Sequence, residues 1–187
     1  MGAYGPTIEN TDAIIDKLEL LDMVCLKQGV NAELLVLGGS ALLLLMAYNE
    51  REFRPTRDID VTLISSSDET TILSLLQQLR IDTVDSIIEL PPLEDLRHPK
   101  HEKMEIEVGL QAIRVYVPKP EYLACTKLFS RRQKDLDDLL QSDLLLLCNK
   151  DELLSLVEDY KVEFLFLSNP DVNVHQLDEI MRVKGII

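Results

Sequence analysis

Leu34-Leu35-Val36-Leu37-Gly38-Gly39-Ser40-Ala41, followed after a polar stretch by Thr56-Arg57-Asp58-Ile59-Asp60-Val61, is the part of this chain that decides its fold. The run Glu33 to Leu37 is leucine- and valine-rich and short, the pattern of a buried strand. It meets two glycines, which let a backbone turn sharply and approach other groups without a β-carbon in the way. Ser40 is expected to cap a helix running from Ala41 to about Tyr48. After the polar stretch Asn49 to Arg57, punctuated by Pro55, Asp58 to Ile64 alternates and is rich in β-branched residues, the pattern of a second strand.

These two elements carry a chemical expectation. A helix that starts at a glycine turn points free N–H groups and its positive dipole end at whatever lies there, a ready phosphate site. On a strand, residues i and i+2 share a face, so Asp58 and Asp60 stand side by side while Ile59, Val61 and Leu63 face the core. Two adjacent carboxylates repel unless a cation lies between them. Magnesium, which prefers carboxylate and phosphate oxygens, is the natural occupant. Each element taken singly also has a plain structural reading, a tight turn for Gly38-Gly39 and a solvated strand end for the aspartates.

Working outward, Ile14, Leu18, Leu21 and Cys25 recur at helical spacing in a helix from Ile8 to about Gln28, closed by Gly29. Thr70 to Leu79 reads as a helix and Thr83 to Leu90 as a strand. Met104 to Val108 and Ala112 to Val117 read as a hairpin-like strand pair joined at Gly109. Beyond Pro118 and Pro120 the chain reads as helical, with segments Glu121 to Arg131, Leu136 to Leu147, Lys150 to Tyr160 and Val172 to Val183. The expected fold is α+β, a small mixed sheet flanked by helices with a helical C-terminal third. Residues 1–118 would form the core and residues 119–187 a helical part packed on the same domain.

The strand, Gly38-Gly39-Ser40 turn, helix and Asp58-Ile59-Asp60 strand together closely resemble the nucleotidyltransferase (polymerase-β-like) superfamily. Lys119-Pro120-Glu121-Tyr122-Leu123 through Lys127-Leu128, with Arg131 to Leu139, resembles the helical signature of its bacterial AbiEii-like branch and related uncharacterised proteins. The resemblance implies that Gly38, Gly39 and Ser40 hold the triphosphate of an NTP while Asp58 and Asp60 bind magnesium, in a site that could take two metals. A neighbouring strand would add a third carboxylate, and Glu107 is favoured over Glu105 and Glu89. If one helix runs through the second signature, Lys127, Arg131, Asp135 and Asp138 fall on one face. Lys127 and Arg131 would then neutralise charge on the leaving pyrophosphate, and Asp135 would orient them.

Composition narrows the partners. The 33 acidic against 19 basic side chains give a formal net charge of -14. That balance repels phosphate backbones and disfavours duplex DNA as a main partner. An NTP remains compatible, because a bound cation inverts the local field. The acceptor could be a small molecule, a protein or a tRNA, the last disfavoured by charge. A non-catalytic alternative keeps the fold as a protein partner, such as a toxin–antitoxin component. Cys25, Cys125 and Cys148 are too scattered for a zinc knuckle and read as buried thiols of a reducing compartment. No apolar run approaches the ~20 residues of a membrane span. A cytoplasmic location is expected. Leu144 to Leu147 and Phe164 to Leu167 would pack on the domain's own sheet or form an interface between copies.

Overall fold

The computed structural model describes residues 10–85, 91–98, 103–130, 132–166 and 174–187, with backbone alone for 164–166 and 174–176. Its chain divides into two compact units, residues 1–85 with 102–118, and residues 86–101 with 119–187. Residues 86–101, read from sequence as part of the core, therefore group with the C-terminal helices.

The first unit is α+β. Its described elements are α1 (Thr11–Gln28), β1 (Ala32–Leu37), α2 (Gly38–Tyr48), β2 (Asp60–Ser66), α3 (Glu69–Gln78), β3 (Asp82–Thr83), β4 (Lys103–Glu105) and β5 (Ile113–Pro118). The strands form one five-stranded mixed sheet in the order β3-β2-β1-β5-β4. The β1–β2 and β4–β5 pairs are antiparallel, and the β1–β5 and β2–β3 pairs are parallel.

Local chemistry explains the element ends. Asn10 caps α1 by accepting from the Ala13 amide, and Gly29, in the left-handed region at φ 68°, ends it. Ile14, Leu18, Leu21 and Cys25 of α1 are all fully buried, as their spacing predicts. Asp68 caps α3 in the same manner as Asn10 caps α1, accepting from Thr71. Every residue of α2 from Ser40 to Met46 is buried, so this helix is a central element of the core.

One buried acid organises the sheet. Asp22 of α1 places Oδ1 to accept from the amides of Gln111, Ala112 and Ile113 at 3.0, 2.7 and 3.0 Å. Those amides lead into β5, and a carboxylate in that position satisfies three donors that would otherwise be orphaned.

Three sequence expectations shift here. The strand predicted over Thr83 to Leu90 appears as β3, Asp82–Thr83, and residues 86–90 lie outside the described ones. The predicted strand Met104 to Val108 shortens to Lys103–Glu105, because the chain curls beyond it and the Val108 amide bonds back to Ile106 O at 3.1 Å. The helix predicted from Ala41 begins instead at Gly38, with Leu37 as the capping residue and no side-chain cap.

The second unit is helical, with α4 (Leu93–Arg97), α5 (Pro120–Leu128), α6 (Gln133–Gln141), α7 (Leu144–Leu147), α8 (Lys150–Phe166) and α9 (Val174–Val183). The helix predicted as Leu136 to Leu147 is two elements, α6 and α7, interrupted at buried Ser142. Tyr160 of α8 donates to Asp95 of α4 at 3.0 Å and meets the Phe129 ring edge-on with centroids 6.2 Å apart.

Candidate active site at the Gly-Gly-Ser turn

The turn from β1 into α2 and the chain entering β2 are stitched together residue by residue. A β-carbon on Gly38 would lie 2.9 Å from Asp60 Oδ2, and one on Gly39 would lie 2.9 Å from Thr56 Oγ1. Gly38 also sits at φ 62°, where side chains are strained. Ser40 is fully buried, and its hydroxyl donates to the backbone carbonyl of Asp58 at 2.5 Å. Gly38, Gly39 and Ser40 thus lie against Asp60, Thr56 and Asp58 respectively.

This arrangement leaves distinctive groups around the turn. The first turn of α2 carries no acidic residue and no side-chain cap, so its amides are not spent on a side chain of their own helix. Asp58 is exposed and Asp60 half-buried, while Ile59 and Val61 between and beyond them are fully buried. Asp60 pairs with Leu37, the last residue of β1, so register brings its carboxylate to the end of the sheet where α2 begins. Ser40 has a positioning role in this geometry, since its hydroxyl fixes the Asp58 backbone.

Sequence reasoning missed Asp82. In the parallel β2–β3 pair Asp60 and Asp82 are direct partners, which sets their Cα atoms on strands about 4.8 Å apart. The Asp82 amide bonds to Ile59 O at 2.8 Å, which fixes the register, and the Asp82 side chain is exposed. The signal was present as Ile81-Asp82-Thr83-Val84, an acid among β-branched residues directly after a helix.

The structure does not bring Glu105 or Glu107 to the same place. Glu105 pairs with Tyr116 on β5, and β4 is separated from β2 by β1 and β5. That is three strand spacings, about 14 Å, from Asp60. Glu105 instead lies 3.7 Å from the Arg114 guanidinium. Glu107 follows β4 in the direction that runs away from the Asp60 end of the sheet. Glu89 lies outside the described residues.

An all-carboxylate donor set suits a hard cation. Among the described residues no three His, Cys, Asp or Glu side chains gather as a ready metal cage. Magnesium does not require one, since it is commonly held by one or two carboxylates with water and substrate phosphate completing the shell. The Asp60 carboxylate, in the space a Gly38 side chain would take and beside uncapped helix amides, fits that mode of binding.

The second signature builds a different object in the helical unit. The continuous helix expected through Lys127, Arg131, Asp135 and Asp138 breaks after Leu128, and α6 starts at Gln133. Ser130 stabilises the break, accepting from the Arg132 amide at 3.1 Å and donating to Asp135 Oδ2 at 2.6 Å. Lys127 is only 2% exposed, and its ammonium donates to Asp135 Oδ1 at 3.0 Å and Asp138 Oδ2 at 2.8 Å. Arg132 Nε adds a bond to Asp135 Oδ2 at 2.7 Å. Burial pushes the Asp135 carboxyl up, but Lys127, Ser130 and Arg132 together outweigh it and hold it below the usual range. Lys127 and Asp135 are therefore committed to an internal ion network, and Arg131 lies outside the described residues.

Comparison with known proteins agrees with the fold. The model of the family described as "Nucleotidyltransferase of unknown function (DUF6036)" matches residues 8–183. The chain belongs to that family. No curated protein and no solved structure matches it.

Proposed function

We propose that this nucleotidyltransferase-family chain transfers a nucleoside monophosphate from an NTP to a hydroxyl acceptor, at the turn where Gly38-Gly39-Ser40 meets Asp58 and Asp60. The observation that carries the reading is the contact between Gly38 and Asp60, which puts a carboxylate beside the uncapped start of α2. The amides of Gly38, Gly39 and Ser40 take the β- and γ-phosphate oxygens, aided by the helix dipole. Asp58 and Asp60 are the residues to hold magnesium, with water and substrate phosphate completing its shell. Asp82, beside Asp60 on β3, is the acid of a neighbouring strand, in place of Glu107, and adds negative charge nearby without closing a three-carboxylate cage. Bound there, magnesium would neutralise triphosphate charge and make the acceptor hydroxyl easier to deprotonate.

The protein's own contribution is positional. Ser40 holds the Asp58 backbone, Thr56 fills the space against Gly39, and the buried neighbours Ile59 and Val61 keep the intervening strand in register. Lys127 and Asp135 act in this reading as the ion network that fixes the α5–α6 break. The α2 amides would meet the charge of the departing pyrophosphate. The segment Lys119 to Leu139 supports the AbiEii-like branch. The net charge of -14 favours a small molecule or a protein over tRNA as acceptor.

The test uses the purified chain with each NTP labelled in turn at the α- or the γ-phosphate, magnesium, and pools of small hydroxyl compounds, proteins and tRNA. Transfer of the α-label but not the γ-label to an acceptor, abolished by Asp60→Asn, supports the proposal. Transfer of the γ-label, or α-label transfer indifferent to Asp60→Asn, overturns it.

A further inference from the structure

Thr56 carries a hydroxyl that its packing does not need. The residue is 3% exposed and fills the space beside Gly39, where a β-carbon would lie 2.9 Å from Thr56 Oγ1 and 3.5 Å from its Cβ. Valine has nearly the same shape and would occupy that space without burying a polar atom. A buried hydroxyl costs stability unless it makes a good hydrogen bond. Among the described residues, the Thr56 hydroxyl donates to the Asp58 carbonyl at 3.5 Å, well beyond the usual length of an O–H···O bond. The same carbonyl already accepts from Ser40 at 2.5 Å. The Thr56 proton is therefore weakly committed, and turning it elsewhere leaves no acceptor orphaned.

The place of the hydroxyl decides what else can receive that proton. Cα–Cβ bonds in an α-helix tilt toward its N-terminus. Gly39 is the second residue of α2, so the site of its missing β-carbon lies toward the end at which the free amides point. Thr56 Oγ1 stands 2.9 Å from that site. The hydroxyl thus borders the uncapped start of α2, on the side from which an anion would approach.

Resting on the nucleotide reading above, we propose that the Thr56 hydroxyl is itself a ligand of the triphosphate, donating to a phosphate oxygen held at the first amides of α2. A phosphate oxygen is charged and accepts more strongly than a peptide carbonyl. The proton therefore leaves its long contact with Asp58 for the phosphate, while Ser40 keeps its hold on that carbonyl. The two hydroxyls divide the work. Ser40 fixes the backbone of Asp58, and Thr56 contacts the substrate.

The experiment is calorimetric titration of wild type, Thr56→Val and Thr56→Ser with MgATP, MgGTP, MgCTP and MgUTP, with urea unfolding of the same preparations. Thr56→Val is expected to lose affinity about tenfold or more, the effect of removing a hydrogen bond to a charged group. The factor should be the same for every nucleotide that wild type binds, because the phosphates are common to all. Its urea midpoint should match or exceed that of wild type. Thr56→Ser keeps the donor and should restore most of the affinity. Full affinity in Thr56→Val overturns this inference and leaves the nucleotide reading standing. Equal losses in the valine and serine proteins, or a Thr56→Val protein less stable than wild type, give the residue a structural role and overturn it equally. If wild type binds none of the four nucleotides, the nucleotide reading fails and this inference fails with it.

Discussion

Gly38 and Asp60 share a space that a side chain on residue 38 would contest: a β-carbon on Gly38 would stand 2.9 Å from Asp60 Oδ2. Gly38 is therefore a requirement of the carboxylate's position as well as of the turn, while Gly39 makes room for Thr56. Gly38 carries the further constraint of its positive φ, so its effects mix strain with contact. Gly39 isolates the contact alone.

Gly39→Ala should cost about 1–3 kcal/mol of stability, the usual cost of forcing atoms into a filled space. Its added carbon meets Thr56 Oγ1, so the cost should fall when Thr56→Ala is already present. Urea unfolding of the four proteins of the cycle checks this. Equal costs in both backgrounds would mean that the backbone, and not Thr56, resists the change.

Ser40→Ala removes the donor to Asp58 O from a fully buried position. A loss of about 1 kcal/mol is expected from the bond alone, and up to about 3 kcal/mol if the carbonyl is left unsatisfied. Magnesium–nucleotide affinity should fall with it, because the Asp58 backbone loses its anchor. Chemical denaturation and calorimetry on the same preparation check both effects.

Lys127→Met should be severe. It strands Asp135 and Asp138, which are 4% and 1% exposed, with their shared cation gone. Breaking a buried pair in this way costs about 3–5 kcal/mol. Adding Asp135→Asn and Asp138→Asn should recover part of the loss, which thermal unfolding of both proteins measures.

The same network predicts an acid-sensitive term. The Asp135 carboxyl is held below its ordinary value in the folded chain, so its ionised form favours folding. That contribution is fully present above the unfolded carboxylate pKa of about 4 and is lost as pH falls through the lower folded value. Asp135→Asn should therefore be less stable than wild type near neutrality, with the gap narrowing below about pH 4. Urea midpoints measured across that range check the sign.

Much of the first unit was legible because its signals are local. Ile14, Leu18, Leu21 and Cys25 lie at helical spacing with Gly29 at the end, and they form the buried stripe of α1. The turn at Gly38-Gly39 was legible from glycine, and the strand expected over Asp58 to Ile64 from β-branched alternation, although β2 begins two residues later, at Asp60, and leaves Asp58 before it. What escaped depended on long-range pairing. The two-residue β3 owes its place to hydrogen bonds with Ile59 and Val61, and no periodicity of its own announces it. Asp82 was missed for that reason, and Glu107 was favoured because strand order cannot be read from its neighbours. The break after Leu128 escaped because Lys127, Asp135 and Asp138, which its ion network joins, read equally well as one helical face.

The central claim is that Asp58 and Asp60 beside the start of α2 form a magnesium–nucleotide site. Calorimetric titration with MgATP, MgGTP, MgCTP and MgUTP, repeated without magnesium and with the Asp58→Asn/Asp60→Asn protein, tests it most directly. The account predicts that at least one nucleotide binds wild type with magnesium and fails to bind without it. It also predicts that the double variant stays folded and loses that binding. Nucleotide binding that persists in the folded double variant, or no binding of any of the four to wild type, would contradict it.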